Sequence, residues 1–356
     1  MHTVCNLFYV NMRRIVYIVL VVAVLSSCDK ELPSVPTEHF DEIVNVEPVK
    51  RVSLDNYDVF KPTKIVVYKD WYVFRDLAEP ENQITCISKD FSKKTSCLNQ
   101  GNGSLDVAGR FGIDADDDSI FVYNSNLKKI LSLTCQGDTF VIVNSQNGWS
   151  PSSAAHFVSR CRYIEPSKID TCMFKLVDNN GNSLSCAPYP KDENLMNLGH
   201  MKQNSIYLNT SYVHSPDGSH YAWGVTNTSV IGFGDIVGDS IMPRVEYTYS
   251  SLKIGTIKKF DVDRVVPDRE NIVNVISGAS SEKYAIFLYS GAKYADKNQT
   301  GHNLLVYKWD GTPYVRITCK ENLISICYDE SNGYILAIAY EPDPLLVFYN
   351  VRKVLK

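Results

Sequence analysis

The chain has 356 residues, 44% of them hydrophobic, with 36 basic against 40 acidic side chains. That balance excludes the basic footprint of a nucleic-acid surface and any polybasic membrane patch, and the apolar share is enough for a real core. None of the ten cysteines falls in a CxxC pair or in a Cys/His cluster of zinc-ligand spacing.

Near the start, Arg13 and Arg14 precede the eleven-residue apolar run Ile15 to Leu25, followed by Ser26, Ser27 and Cys28. A membrane span needs roughly 20 such residues, whereas a signal-peptide core needs about 7–15 with charge before and small residues after. The tetrad Leu25-Ser26-Ser27-Cys28 resembles the bacterial lipobox. The resemblance implies diacylglyceryl attachment at Cys28 and cleavage before it. Met12 is the expected true start, because residues 1–11 add a histidine, a cysteine and aromatics that a signal does not need. Segment 29–39 (DKELPSVPTEH) has two prolines, four charges and almost nothing to bury, which predicts a solvated tether. The expected organisation is therefore a signal peptide over 1–27, a lipidated tether over 28–39 and a folded body over 40–356. Cleavage removes two arginines and leaves 34 − 40 = −6.

The body reads as all-β. Helical periodicity is nearly absent, and short runs rich in Val, Ile, Tyr and Phe alternate with Gly, Asn and Asp. In chain order these include KIVVY (64–68), WYVF (71–74), IFVY (120–123), AIFLY (285–289), LLVYKW (304–309), YILAIA (334–339) and LLVFY (345–349). One unit recurs, in which an apolar strand runs into a polar turn and a second strand leaves it. The turns fall at Asp90, Gln136, Asp178, Asp235, Asp310 and Asn350, with gaps of 46, 42, 57, 75 and 40 residues. Four short strands per ~40–60 residues is the pattern of a propeller blade. Six blades are predicted, with 45–54 (NVEPVKRVSL) supplying the last strand of the final blade and so removing an exposed sheet edge.

Ser215-Pro216-Asp217-Gly218 before HYAW resembles the SPDG turn of TolB-type repeats. Gly101-Asn102-Gly103 followed by FGIDADDDSIFVYNSNLKKILSL is similar to the inter-blade loop and strand pair of NHL-like propellers. With FLYSG (287–291), KWDG (308–311) and ISICYDE (324–330), the order resembles that of the TolB-like six-bladed propeller lipoproteins of Gram-negative bacteria. The resemblance implies fold and export, and no established activity.

Chemical motifs are weak. Asp114-Ala115-Asp116-Asp117-Asp118 lacks EF-hand spacing and reads as a solvated hairpin turn. SPDG is a turn, with proline presetting φ and glycine supplying positive φ. Glycoside cleavage needs two facing carboxylates, and Asp76, Glu79, Asp106, Asp296 and Glu341 cannot be paired from sequence. No GxSxG occurs, and His39, His156, His200, His214, His220 and His302 read as surface or satisfied core residues. Export permits disulfides. Cys86 and Cys97 flank the turn Asp90-Phe91-Ser92-Lys93 and are the candidate pair, the other reading being small buried hydrophobes.

Function is expected on the propeller face that carries the inter-blade loops and the loops between second and third strands. Three segments stand out: GNGSLDVAGR (101–110) with Arg110, GAKYADKNQTGHN (291–303) with Lys293, Tyr294 and His302, and the apparent insertion 238–270 with Arg244, Tyr247 and Tyr249. The expected protein is a lipid-anchored extracytoplasmic lipoprotein, on the outer membrane, that binds a protein, peptide or glycan partner. The alternative is a propeller-type hydrolase or lyase. No cofactor, metal or nucleic acid is expected.

Overall fold

The computed structural model describes residues 32–356 apart from 79–80, 149–151, 153, 160–161, 168–170, 197, 260–261 and 297–298. The signal segment 1–27 and the lipidation site Cys28 lie outside the described residues. Residues from Ser34 to Lys356 form one compact unit. It opens with a 3-10 turn, Pro36–His39, and two short strands, β1 (Ile43–Asn45) and β2 (Lys50–Ser53).

Four four-stranded antiparallel sheets follow, each a meander from inside to outside. The first is β3 (Pro62–Tyr68), β4 (Trp71–Asp76), β5 (Ile84–Ser88) and β6 (Lys94–Cys97). The second is β7 (Phe111–Ala115), β8 (Ile120–Asn124), β9 (Lys129–Gln136) and β10 (Thr139–Asn147). The third is β11 (His156–Ser159), β12 (Arg162–Pro166), β13 (Cys172–Val177) and β14 (Ser183–Pro188). Two helices, α1 (Glu193–Met196) and α2 (His200–Tyr207), precede the fourth sheet of β15 (Thr210–His214), β16 (His220–Val225), β17 (Val230–Val237) and β18 (Ser240–Thr248). A separate hairpin, β19 (Ile254–Lys259) with β20 (Val262–Pro267), comes next.

The remaining strands are β21 (Val275–Ser280), β22 (Tyr284–Tyr289), β23 (Gly301–Lys308), β24 (Pro313–Asp329), β25 (Tyr334–Tyr340) and β26 (Pro344–Asn350). Together with β2 and β1 they make an eight-stranded sheet, because β24 serves two neighbours. Its first half pairs with β23 through Val315, Arg316 and Ile317, and its second half pairs with β25 from Leu323 to Asp329. Between the halves Glu321 is buried and accepts hydrogen bonds from Arg51 and from the Tyr349 hydroxyl (2.5 Å).

The middle strands are buried on both faces, which is why they read as continuous apolar runs. Every residue of β5, β8 and β22 is buried, whereas β18 exposes most of its residues. Neighbouring sheets pack face to face. Val66, Trp71 and Val73 meet Phe111, Ile113 and Val122, Phe121 and Tyr123 meet Tyr163 and Val177, and Phe174 meets Tyr212 and Trp223. Val213 and Phe233 meet Phe287 and Tyr307, and Leu336, Ile338 and Phe348 return to Ile65, Tyr72 and Phe74. The sheets thus form a propeller-like ring.

The predicted edge pairing is present over a shorter span. β2 runs antiparallel to β26, with Lys50 opposite Phe348 and Ser53 opposite Leu345. The preceding β1 lies parallel to β24, Ile43 opposite Arg316, which the sequence reading did not foresee.

Three expectations are corrected. The 238–270 segment is not a loop: Ser240–Thr248 is an outer strand and 254–267 a hairpin. The turn read at Asp235 lies at Gly238-Asp239, because Asp235 is still paired within β17. The body also begins before Phe40, since Pro36 is buried and His39 Nδ1 lies 3.0 Å from the Tyr249 hydroxyl. Among the described residues no helix is long and apolar enough to cross a membrane.

Candidate functional site: the central channel

The innermost strands of the ring enclose a cavity of about 360 Å³, lined by β3, β7, β11, β15, β21 and the second half of β24. Strand alternation sends one side chain in two toward it. Most of these are small or apolar, such as Val67, Ala115, Ala155, Gly278 and Ser325. The lining also holds the ionisable side chains of Lys64, Arg75, Asp114 and His156.

Asp114, His156 and His214 come from β7, β11 and β15, and their ligand atoms lie within 4.8 Å of one another. Asp114 is 7% exposed. Its Oδ1 accepts from the Ala115 amide (3.0 Å) and its Oδ2 from the Phe157 amide (3.1 Å), with His156 Nδ1 2.5 Å from the same Oδ2. Burial alone pushes this carboxyl up; His156, helped by Lys64 and His214, overcomes it and holds the group below the usual carboxylate range. Burial and His156 lower His214 to about 4, against the pull of Asp114 and of the Ser215 and Phe157 carbonyls. The His156 and His214 rings meet edge to face with centroids 5.0 Å apart. Lys64, on β3, is lowered by burial and drawn back up by Asp114.

At one end the channel widens into a mouth of about 580 Å³ lined by Arg75, Arg110, Leu77, Leu208, Gln299 and Thr226, among others. Arg75 donates from Nε to the Thr63 hydroxyl (2.7 Å) and from a terminal nitrogen to the Phe111 carbonyl. Burial and the neighbouring Arg110 lower its pKa to about 10. Arg110 closes the loop 101–110, which is tied down internally. The Asp106 carboxylate accepts from the Gly103 amide (2.9 Å), and Lys129 Nζ donates to the Gly103 and Ser104 carbonyls (3.0 and 2.9 Å). A Cβ at Gly101 or Gly103 would fall 2.4 or 2.7 Å from an Asp106 oxygen, so a larger residue at either place would displace that carboxylate. Among the described residues, no carboxylate pairs with Arg75 or Arg110.

The opposite mouth, about 610 Å³, is acidic. Asp116, Asp117, Asp118, Asp329 and Glu330 line it beside Lys69 and Lys89. The run read as a hairpin turn is one only from Asp116 onward, where Asp116 Oδ1 accepts from the Asp118 and Ser119 amides (2.9 and 2.8 Å). Asp114 is a buried channel residue instead.

Of the residues singled out from sequence, Arg110 sits at the basic mouth, and the 291–303 segment reaches the same mouth through Gln299. Lys293 is exposed and pairs with Glu270 (2.7 Å), the Tyr294 amide donates to the Asn271 carbonyl (2.7 Å), and His302 is half-buried at the start of β23. Arg244, Tyr247 and Tyr249 lie elsewhere. Arg244 pairs with Asp235 across β17 and β18. Tyr247 donates to the Gly311 carbonyl (3.2 Å), and buried Tyr249 lies 3.0 Å from the Tyr307 hydroxyl, so both pack between sheets. Cys86 and Cys97 are two thiols on β5 and β6. Cys97 is opposite Ile84 rather than Cys86, and burial, with Cys97 in contact, pushes the Cys86 thiol up. A cross-strand disulfide joins Cys172 to Cys186, Cα to Cα 5.9 Å. Asp76 accepts from the Phe60, Lys61 and Ala78 amides, a structural task.

Sequence reading missed the Asp114, His156 and His214 cluster. Each lies on a short inner strand, FGIDA, HFVS and TSYVH. Laying the inner strands side by side was the signal available.

No protein-family model matches the sequence, and no curated protein matches it. Solved structures do resemble it. A member of the DUF4221 family from Bacteroides vulgatus aligns with a TM-score of 0.52 at 13% identity, over 85% of this chain and 96% of that one. The fold is a β-propeller. At that identity the likeness speaks for the fold alone. Weaker likenesses are to hydrazine synthase of Kuenenia stuttgartiensis (TM-score 0.46, 11% identity, 82% of this chain and 96% of that one) and Raptor of Chaetomium thermophilum (0.43, 9%, 88% and 29%).

Proposed function

We propose that this chain is an envelope lipoprotein anchored through Cys28, on the outer membrane, whose propeller binds an anionic peptide or glycan at the Arg75–Arg110 mouth. Six blades of TolB-like type are part of the reading. The strands lining the channel supply six inner edges if the two halves of β24 belong to different blades.

The observation that carries the binding reading is the meeting of Arg75 and Arg110. Half-buried Arg75 and exposed Arg110 line one mouth and repel each other, and among the described residues no carboxylate offsets them. A partly buried guanidinium with a second cation beside it favours an anion there, and guanidinium recognises carboxylate or phosphate in a bidentate way. The apolar and amide lining from Leu77, Leu208 and Gln299 suits a ligand with an organic body.

The test is titration with short polyglutamate peptides and oligogalacturonates beside their neutral counterparts. The anionic ligands bind, and Arg75→Ala with Arg110→Ala weakens them at least ~10-fold. Equal binding of neutral and anionic ligands, or no effect of the double variant, defeats the reading. For the anchor, Cys28→Ala blocks acylation and releases the chain from membranes. A mature-sized variant that still sediments with membranes rules lipidation out. A second reading, an extracytoplasmic hydrolase, draws on the Asp114–His156 pair. Saturable turnover lost in Asp114→Asn decides for it.

A further inference from the structure

We propose that Asp114, His156 and His214 form a site for one divalent transition-metal ion, with zinc the best match, at the channel axis. The inference is independent of the anion reading, because it uses other residues and a different ligand.

Three consecutive sheets each deliver one donor to a single point, a carboxylate from β7 and an imidazole each from β11 and β15. Side chains so far apart in sequence meet only because the ring places their inner strands around one axis. The donor set is two nitrogens and one oxygen. Calcium and magnesium take oxygen ligands, whereas imidazole suits zinc and its transition-metal neighbours. Three protein ligands with a fourth position open is the coordination of zinc sites that bind a further molecule. Here all three donors line the acidic mouth of about 610 Å³, and Asp114 and His156 also line the cavity of about 360 Å³, so the open position is reached from the channel.

The surroundings hold the donors as ligand sites require. The Ser215 carbonyl lies 2.7 Å from His214 Nδ1, which holds a proton there and makes Nε2 the nitrogen an ion would take, in place of the ring's contact with the Phe157 carbonyl. The Ala115 and Phe157 amides hold the two Asp114 oxygens. His156 Nδ1 and Asp114 Oδ2 lie 2.5 Å apart, the distance of a hydrogen bond with its proton between them. The ion takes that proton's place, and the proton leaves for the other ring nitrogen or for solvent. Ligand atoms around zinc stand roughly 3.4 Å apart, so loading opens this contact and draws His214 in from within 4.8 Å by side-chain rotation.

Charge acts in both directions. The acidic mouth with Asp116, Asp117, Asp118, Asp329 and Glu330 concentrates cations at that end of the channel. Lys64, which interacts with Asp114, opposes the ion. A site of this kind should therefore tighten when Lys64 is neutralised.

The experiment is calorimetric titration of the intact, chelator-stripped protein with Zn²⁺, and with Ca²⁺ and Mg²⁺ as probes of the oxygen-only alternative. Absorption on Co²⁺ loading reads the geometry. The expected result is one equivalent of Zn²⁺, Co²⁺ bands of a four-coordinate site, affinity lowered at least 100-fold by His214→Gln or His156→Ala, and affinity raised by Lys64→Met. Circular dichroism confirms that each variant is folded. Should a histidine variant fail to fold, the Co²⁺ spectrum of the unchanged protein and the Lys64→Met titration decide alone. The proposal is overturned by no saturable Zn²⁺ binding, by calcium binding more tightly than zinc, by an octahedral Co²⁺ spectrum, or by binding that folded histidine variants leave unchanged, which marks an adventitious ion on the acidic turn.

Discussion

The two mouths of the channel are built from the same inner strands yet have opposite chemistry. At one end Arg75 and Arg110 converge beside leucines and amides. At the other, six acidic side chains, Asp114 among them, line the channel with Lys69 and Lys89. The difference lies in what each charge is bonded to. Around the acidic end most carboxylates are occupied: Asp116 caps its own turn, Asp329 pairs with Lys89 (3.0 Å) and accepts from Ser331, Glu330 accepts from the Glu282 amide, and Asp114 has two amides and His156. At the basic end, Arg75 has only neutral hydrogen-bond partners, and no carboxylate pairs with Arg110 among the described residues. Charges satisfied by the chain hold structure, and charges left to neutral neighbours are available to a ligand.

The largest test of that contrast is Asp114→Ala. Removing one member of a buried, hydrogen-bonded pair typically costs about 3 kcal/mol, so the urea midpoint should fall with an unchanged m-value. A loss under about 1 kcal/mol would show that the acidic side is not structural. Arg75→Ala comes next and should behave in the opposite way. It forfeits the Thr63 and Phe111 contacts but relieves the repulsion from Arg110. Stability should stay within about 1 kcal/mol while affinity for an anionic ligand falls ~10-fold. Third, raising salt from ~50 to ~500 mM should weaken that binding several-fold and leave the melting temperature nearly unchanged, because exposed charge is screened within about 10 Å at 0.1 M.

The smallest effect concerns Asp217, in the β15–β16 turn next to Pro216 of the acidic mouth. The Ser215 hydroxyl (2.5 Å) and the Ser219 amide (3.0 Å) lower its carboxyl from 3.8 to about 2. A depressed pKa contributes stability that is present above the unfolded value and lost as pH falls through the folded one. Asp217→Asn should therefore lower stability at neutral pH and flatten its decline between roughly pH 4 and pH 2, so that the variant and the unchanged protein converge in acid. An unchanged acid profile would place the turn's stability elsewhere.

The middle strands were legible because burial on both faces leaves no room for polar residues. KIVVY, IFVY, AIFLY and LLVFY all fall on strands. The outer strands were not, since a half-exposed strand such as SIMPRVEYT, with Pro243 and Arg244 inside it, carries no apolar run. Nor was α2 (HMKQNSIY), whose apolar positions form no helical stripe and whose Gln203 holds the turn before it through the Leu195 and Leu198 carbonyls. Arg110 was found because a glycine-rich loop is visible locally. The Asp114, His156 and His214 cluster was hidden for the reverse reason: its members stand 42 and 58 positions apart, and only closure of the ring brings them together.

The pairing of β2 with β26 has a consequence for how the molecule is made. Lys50 finds its partner only at Phe348, nearly the whole chain later. Contacts between such distant positions form slowly, so a chain emerging N-terminus first holds β2 as a loose strand until the last residues arrive. Its unpaired edge is an aggregation hazard throughout that wait. Because β24 belongs to both neighbours, the final strands join the ring as one cooperative unit rather than piecemeal. A chain truncated before Pro344 leaves β2 without a partner and β25 with an open edge, so a small loss at one terminus unmakes the structure of the other.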